Sequence, residues 1–324
     1  MPDKVLVTGA SGFIAGHCVS ELAGRGYAVR GTVRQPGKAA HLTDMAELVT
    51  ADLESDDGWA DAVADCDYVL HVASPFPVND PANEDDLIRP AVQGTLRVLR
   101  ASAASGTVKR VVLTSSVTAV VGDSPGDRTL TEDDWTDPAV SHDAYQKSKT
   151  LAERAAWEFA QADGRLELAV INPGLVLGPV QYAAASTSLE PVRRLLARNV
   201  PGVPRLGWAV VDVRDLAVAH RLAMELPAAA GQRYICAGPH VWMRDMATIL
   251  ATRYRVPTRP VPYWLLWAVA RFDTDIRAVL PSVGKQETVS ADKAKRDLGW
   301  TMRPIEETLL DTAASLFSHQ LVRP

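Results

Sequence analysis

Tyr145 and Lys149 stand four residues apart in the run Tyr145-Gln146-Lys147-Ser148-Lys149. On a helix that spacing sets phenol and ammonium on one face. A free phenol titrates near 10, too high for efficient acid–base work at neutral pH. A neighbouring cation favours the phenolate, so Lys149 is expected to lower the Tyr145 pKa. Earlier in the chain the apolar run Val111-Val112-Leu113-Thr114 ends in Ser115-Ser116. A hydroxyl there can hydrogen-bond the same oxygen that the Tyr protonates; Ser116 is the expected partner and Ser115 the alternative. Together the three side chains are suited to moving a proton to or from an oxygen. Taken singly they have plainer readings: a surface Tyr and Lys, and a Ser pair that forms a turn or helix cap.

The N-terminal apolar run Val5-Leu6-Val7 leads into Thr8-Gly9-Ala10-Ser11-Gly12-Phe13-Ile14-Ala15-Gly16. Gly9 permits a tight turn. Gly12 lets backbone N–H groups approach a pyrophosphate at a helix N-terminus, where the dipole favours anions. Ala15 takes the third fingerprint position, where a small residue lets the helix pack on the strand. Strand, Gly-rich turn and helix in succession is the context this motif requires, the alternative being a bare Gly-rich turn. Thr8, Gly9, Ser11, Gly12, Phe13 and Ile14 are therefore candidate contacts of a dinucleotide. An NAD site usually carries Asp or Glu at the end of the second strand, for the ribose 2′-hydroxyl. Here that segment reads Arg30-Gly31-Thr32-Val33-Arg34-Gln35-Pro36-Gly37-Lys38, without a carboxylate. Arg34 and Lys38 suit a 2′-phosphate instead, which points to NADP(H); the plainer reading is two solvated cations. Asp52, ending the third strand, either accepts from the adenine amino group or caps the next helix.

Positioning these groups takes an alternating chain. β-branched runs at 4–8, 28–33, 47–51, 68–72, 110–114 and 166–171 alternate with helical segments at 13–24, 59–64, 87–105 and 144–162. The alternation predicts an α/β fold with a doubly wound parallel sheet, covered by helices on both faces. Residues 210–226 and 233–237 read as one more helix and strand of that sheet. The remainder is rich in Pro and aromatic residues and is expected to form a smaller, mixed C-terminal substrate lobe over the edge where such sheets bind ligands. The expected division is 1–178, with 209–237 returning, for the dinucleotide domain, and 179–208 with 238–324 for the substrate lobe. Trp264 and Trp267 read as core rings of that lobe.

The 324 residues suffice for one large or two unequal domains. A net charge of -5 provides no basic footprint, so no nucleic-acid partner is expected. Cys18, Cys66 and Cys236 show neither a metal-like spacing nor a disulfide framework, which suits a reducing compartment. The seven histidines lack ligand spacing, so no metal is expected. The N-terminus does not read as a signal peptide. The longest apolar run near the C-terminus, 264–270, is far below the roughly 20 residues that span a bilayer. A cytoplasmic location without a membrane partner is expected.

These residues resemble those of the extended short-chain dehydrogenases/reductases. Within them the chain is similar to the dihydroflavonol-reductase-like branch, which includes cinnamoyl-CoA reductases and yeast methylglyoxal and carbonyl reductases. The marks are VTGASGFIAGH at 7–17, Thr32-Val33-Arg34, His71-Val72-Ala73-Ser74-Pro75, Leu113-Thr114-Ser115-Ser116 and the YQKSK box. They continue in Asn172-Pro173-Gly174-Leu175-Val176-Leu177-Gly178-Pro179, Val211-Asp212-Val213-Arg214-Asp215 and Asp297-Leu298-Gly299-Trp300, and so cover nearly the whole chain. The resemblance implies a Rossmann fold and NADP(H)-dependent hydride transfer, with Ser116, Tyr145 and Lys149 as the catalytic group. It implies that Arg34 and Lys38 hold the 2′-phosphate and that Asp52 and Leu53 frame the adenine. It also implies that Val72, Ala73 and Ser74 line the ribose and nicotinamide. Pro173, Gly174, Leu175 and Val176 would contact the nicotinamide end, and Ser188 would reach the pyrophosphate.

The branch's specialised substrate residues are not carried over. Val121 stands where flavonoid reductases have an Asn, and Ala209 where they have a Gln. Ser141-His142-Asp143-Ala144-Tyr145 replaces the NWYCY box of cinnamoyl-CoA reductases. The expected reaction is reduction of a small apolar aldehyde or ketone by a monomer or homodimer. A sugar-nucleotide epimerase or dehydratase would need a defined diphosphate clamp, not the scattered Arg193, Arg194 and Arg198. A hydroxysteroid dehydrogenase stays open. A non-catalytic NADP sensor would tend to lose the Tyr or Lys.

Overall fold

The structure, a computed structural model, describes residues 2–75, 83–122, 128–182, 186–200, 202–272 and 274–323; the side chains of 38, 274, 275 and 278 lie outside that description. The chain opens with β1 (Lys4–Val7), α1 (Phe13–Gly24), β2 (Ala28–Val33), β3 (Glu47–Thr50), α2 (Trp59–Val63), β4 (Tyr68–His71), α3 (Asp85–Ser105) and β5 (Arg110–Thr114). It continues through α4 (Thr118–Val121), α5 (Ala144–Asp163), β6 (Glu167–Pro173), β7 (Leu175–Leu177), α6 (Glu190–Leu196), β8 (Gly207–Asp212), α7 (Val213–Glu225) and β9 (Arg233–Cys236). β10 (His240–Trp242), α8 (Met243–Leu250), α9 (Tyr263–Val269), α10 (Thr274–Val279), α11 (Asp292–Leu298) and α12 (Ile305–Ser318) follow. Two compact units result. One is Met1–Gly174 with Val213–Ala237 and Val289–Thr301; the other is Leu175–Asp212 with Gly238–Thr288 and Met302–Pro324.

The sheet of the first unit runs β3-β2-β1-β4-β5-β6-β9, all parallel. This is the doubly wound α/β arrangement the alternation predicts. Every second strand residue, among them Leu6, Val69, Val111, Leu113, Leu168 and Val170, meets Trp59, Val98, Leu99 and Ala156 of α2, α3 and α5. The intervening Val5, Val7, Leu70, Val112, Ala169 and Ile171 are buried as well, as strands covered on both faces must be. The strand order reverses between β1 and β4, the switch point beyond whose C-terminal ends such sheets bind ligands.

In the second unit β8 pairs parallel with β7 and antiparallel with β10, forming a small mixed sheet. Three sequence expectations change here. Residues 210–226 are not one helix: the β-branched Val210-Val211 belongs to β8, and α7 starts only at Val213. Residues 209–212 therefore join the small sheet. Val289–Thr301, expected in the substrate lobe, lies in the first unit. It is tied there because Trp300 is fully buried and donates Nε1 to the Asp215 carbonyl at 2.7 Å. Trp264 and Trp267 are not core rings; they are 67% and 50% exposed. The seven-residue α9 buries only Leu266, and the Arg271 guanidinium stacks over Trp267 at 4.2 Å. Among the described residues, no helix is long and apolar enough to cross a membrane.

Candidate active site

The turn after β1 is built around Gly9, at φ +65°. A Cβ there would lie 3.0 Å from Ala73 Cβ, so both the backbone and the close approach call for Gly. Gly9 N donates to Thr32 Oγ1 at 2.9 Å, and Gly12 N to Gly9 O at 2.8 Å. Ser11 sits within this turn. Gly12 is the extended N-cap of α1 and supplies no side-chain cap. The first-turn N–H groups, those of Phe13 and Ile14 included, thus remain suited to an anionic ligand. The cradle fits a dinucleotide pyrophosphate. Thr8 fastens the facing strand end: its Oγ1 accepts from Val72 N at 3.1 Å and Ala73 N at 3.0 Å. Its own proton therefore goes to His71 Nδ1, 2.9 Å away. His71 is thus a neutral Nε2–H tautomer, and burial pushes its pKa down to about 3.

Around this cradle Arg34 is exposed just past β2, and Ser74 follows Ala73 beyond β4. Lys38 lies in the 3-10 turn Pro36–Leu42, its side chain outside the described residues. Asp52 does not cap α2, whose N-cap is Gly58. Instead its Oδ1 accepts from Glu54 N at 3.1 Å, closing a local turn. Leu53 packs against Gly94 of α3 so closely that a Cβ on Gly94 would lie 3.0 Å from Leu53 Cβ.

α5 starts at its N-cap Asp143, whose Oδ1 accepts from Tyr145 N at 2.7 Å and Gln146 N at 3.3 Å. The cap sets Tyr145 in the first turn and Lys149 one turn later, with Lys149 Nζ 5.9 Å from the Tyr145 ring centroid. Beyond β5 the chain is held by Ser115 N to Ile171 O at 2.8 Å and Val117 N to Pro173 O at 2.9 Å. Ser116 Oγ accepts from Thr118 N at 3.2 Å and shares a hydrogen bond with the Tyr145 hydroxyl. Ser115 Oγ donates instead to Glu153 Oε2 at 2.5 Å. The structure brings Ser116, Tyr145 and Lys149 together and engages Ser115 elsewhere.

The electrostatics differ from the expectation that Lys149 lowers the Tyr145 pKa. Burial pushes the phenol up to about 12, against the lowering effect of its hydrogen bond with Ser116. Burial also pushes Lys149 down to about 8, with the Glu153 carboxylate opposing the fall. Desolvation disfavours both charged forms at once, and the Asp143 carboxylate adds to the rise at Tyr145. At pH 7 the group is a proton-bearing phenol beside an ammonium, an acid ready to give its proton to an oxygen.

Three residues not picked out as site residues from the sequence complete this region. Glu153 Oε1 accepts from Arg233 Nε at 2.5 Å and Trp157 Nε1 at 3.3 Å. Its Oε2 accepts from Asn172 Nδ2 at 2.8 Å as well as from Ser115. Asn172 Nδ2 also donates to Ser116 O at 3.1 Å. Glu153 could have been found as the next four-residue step after Tyr145 and Lys149; nothing local signals Arg233.

Pro173 closes β6, and Gly174 N donates to Cys236 O at 3.2 Å. Leu175 and Val176 open β7, and Ser188 shares a 2.8 Å hydrogen bond with Ser186. These last three candidates belong to the second unit. Val121 in α4 and Ala209 in β8 are buried. Among the described residues, no group of three or more His, Cys, Asp or Glu side chains could hold a metal ion.

The family described as NAD dependent epimerase/dehydratase matches residues 5–237. Cinnamoyl-CoA reductase 1 of Petunia hybrida is 37% identical over 325 residues, covering 96% of this chain and 91% of the relative. Dihydroflavonol 4-reductase of Zea mays is 38% identical over 276 residues, covering 80% and 76%. Among solved structures, yeast methylglyoxal/isovaleraldehyde reductase Gre2 complexed with NADPH superposes with a TM-score of 0.82 at 30% identity, covering 98% of this chain and 99% of that one.

Proposed function

Because the chain belongs to the NAD dependent epimerase/dehydratase family, we propose that it is an NADP(H)-dependent carbonyl reductase acting through Ser116, Tyr145 and Lys149. The observation that carries this reading is the hydrogen-bonded Ser116–Tyr145 pair with Lys149 one turn further along α5. When bound, the reduced nicotinamide supplies hydride to a carbonyl carbon. Tyr145 gives its phenolic proton to the carbonyl oxygen, and Ser116 donates a hydrogen bond to that oxygen. Lys149, charged below about pH 8, stabilises the phenolate left behind and reaches the ribose. The N–H groups at the start of α1 hold the pyrophosphate. The preference for NADP(H) is supported by Arg34 past β2 and by the lack of a carboxylate from 30 to 38. The NADPH complex of the Gre2 structure is consistent with it.

The substrate we infer is a small apolar aldehyde or ketone. Val121 and Ala209 offer no side-chain hydrogen bond where flavonoid reductases carry Asn and Gln, and a site without matched polar partners selects mainly by size and apolar contact. NADPH oxidation against a panel of aryl and alkyl carbonyls, a dihydroflavonol, a cinnamoyl thioester and a UDP-sugar tests the reading. Simple carbonyls should give the highest kcat/KM, and NADPH should be preferred over NADH. Tyr145→Phe should lower kcat by roughly a hundredfold or more while leaving NADPH binding intact. Retention of a tenth of the rate would place the acid elsewhere. Reduction should slow as pH rises through about 8, because Lys149 loses its charge there.

A further inference from the structure

Glu153 is 1% exposed, and a carboxylate so buried must be paired and hydrogen-bonded to stay charged. It has four donors: Arg233 and Trp157 on one oxygen, Ser115 and Asn172 on the other. Arg233 is itself pinned. Its Nη1 donates to Glu132 O at 2.8 Å and Asp134 O at 3.0 Å, and its guanidinium lies 3.6 Å from the Trp135 ring centroid. Charge pairing alone needs only Arg233. The other oxygen is directed at the site, since Ser115 directly precedes Ser116 and Asn172 also holds the Ser116 carbonyl. The Ser116 backbone is thereby held from both sides, and its Oγ is aimed at Tyr145.

Glu153 also lies one helical turn beyond Lys149. No ion pair joins the two; they share a cleft lined by Ser74, Thr95, Thr114 and Ser115. The carboxylate therefore acts on the ammonium by charge across that cleft. Facing Lys149 are Tyr145 and Glu153 of α5 and His71 of β4, the last neutral. Facing Glu153 are Arg233 of β9 and Lys149, with Glu132 close to Arg233.

We propose that Glu153, held by Arg233, is a positioning residue that aims Ser116 through Ser115 and Asn172 and keeps Lys149 charged. The inference rests on the carbonyl-reductase reading above. Its test uses the full-length chain, with NADPH-dependent carbonyl reduction followed from pH 6 to 10. Glu153→Gln alone leaves Arg233 buried and unpaired, so the informative variant is Glu153→Gln/Arg233→Met. Its alkaline limb should move down by about one pH unit, because Lys149 loses the charge that opposes its desolvation. Its kcat below that limb should fall roughly tenfold, with the carbonyl KM changed far less. Ser115→Ala, which leaves the ion pair in place, should lower kcat by roughly three- to tenfold with the limb unmoved. A merely structural Glu153 would reduce the folded fraction but leave kcat per folded molecule and the limb at wild-type values, and that result overturns the inference. If the double variant does not fold, Ser115→Ala decides, and wild-type kcat there overturns it. Tyr145→Phe serves as the control: if it stays active, the reading of the catalytic group fails, whatever Glu153 does.

Discussion

Arg110 and Arg233 each open a strand of the same sheet and make the same kinds of bond in opposite surroundings. Arg110 Nη1 donates to the carbonyls of Ala223, Met224 and Leu226, closing the end of α7, and its Nε reaches Glu167 at 2.7 Å. Arg30 repeats this at the end of α2, with Asp61, Ala62 and Ala64 carbonyls and Glu47. In both cases the carboxylate is half in water: 48% exposed for Glu167, 54% for Glu47. Arg233 also caps carbonyls, but its partner Glu153 has 0% side-chain exposure and is bonded to the residues around Ser116. A fork that closes a helix end can leave its counter-ion solvated at little cost. Sealing the counter-ion away carries a desolvation penalty. The molecule bears that penalty at the one of these three places that adjoins the candidate site.

The largest expected effect comes from Arg233→Met, which leaves Glu153 buried without its cation. Urea unfolding should show a loss of about 3–5 kcal/mol. A loss below about 1 kcal/mol would mean that the buried pair is no different from the solvated ones. Acid loads the same interior without mutation. His71 and His220 are held neutral, with pKa values of about 3 and about 4. His220 accepts from Thr114 Oγ1 and donates Nδ1 to Leu216 O. Unfolded His binds its proton near pH 6.5 and these do not, so stability should fall as pH drops below that value. The slope should approach about 1.4 kcal/mol per pH unit for each residue, and His220→Gln should reduce it. Arg110→Met should lose roughly 1–3 kcal/mol from unpaired carbonyls, with kcat per folded molecule unchanged; a fallen kcat would blur the contrast with Arg233. Smallest is Glu167→Ala, expected within about 1 kcal/mol of wild type in the same unfolding experiment.

The parts legible in the sequence are those set by local rules. Strand alternation places β2 and β5 at their observed bounds, and the four-residue spacing puts Lys149 beside Tyr145. Gly9 is required by a turn that its own neighbours define. Long-range partners were not legible. Arg233 meets Glu153 across 80 residues and Trp300 meets Asp215 across 85, and no local pattern announces either. Val210-Val211 adjoins a helical pattern, and only its pairing with Leu175 and Val176 of β7 makes it strand. The direction of the Tyr145 shift is not legible for a related reason: spacing shows the cation, whereas desolvation depends on everything packed around the pair.

The exposure of α9 gives the chain an optical reporter of its own. Trp59 and Trp300 are 3% and 1% exposed, whereas Trp264 and Trp267 stand largely in solvent. Emission from the buried indoles should be blue-shifted and shielded, and that from α9 red-shifted and open to collision with a dissolved quencher. Acrylamide should therefore remove the red edge of the folded protein's spectrum first. Trp264→Phe/Trp267→Phe should remove the most readily quenched part while leaving the blue emission in place. Trp59 and Trp300 belong to the first unit and Trp264 and Trp267 to the second, while Trp135, Trp157, Trp208 and Trp242 are half-buried and emit between these extremes.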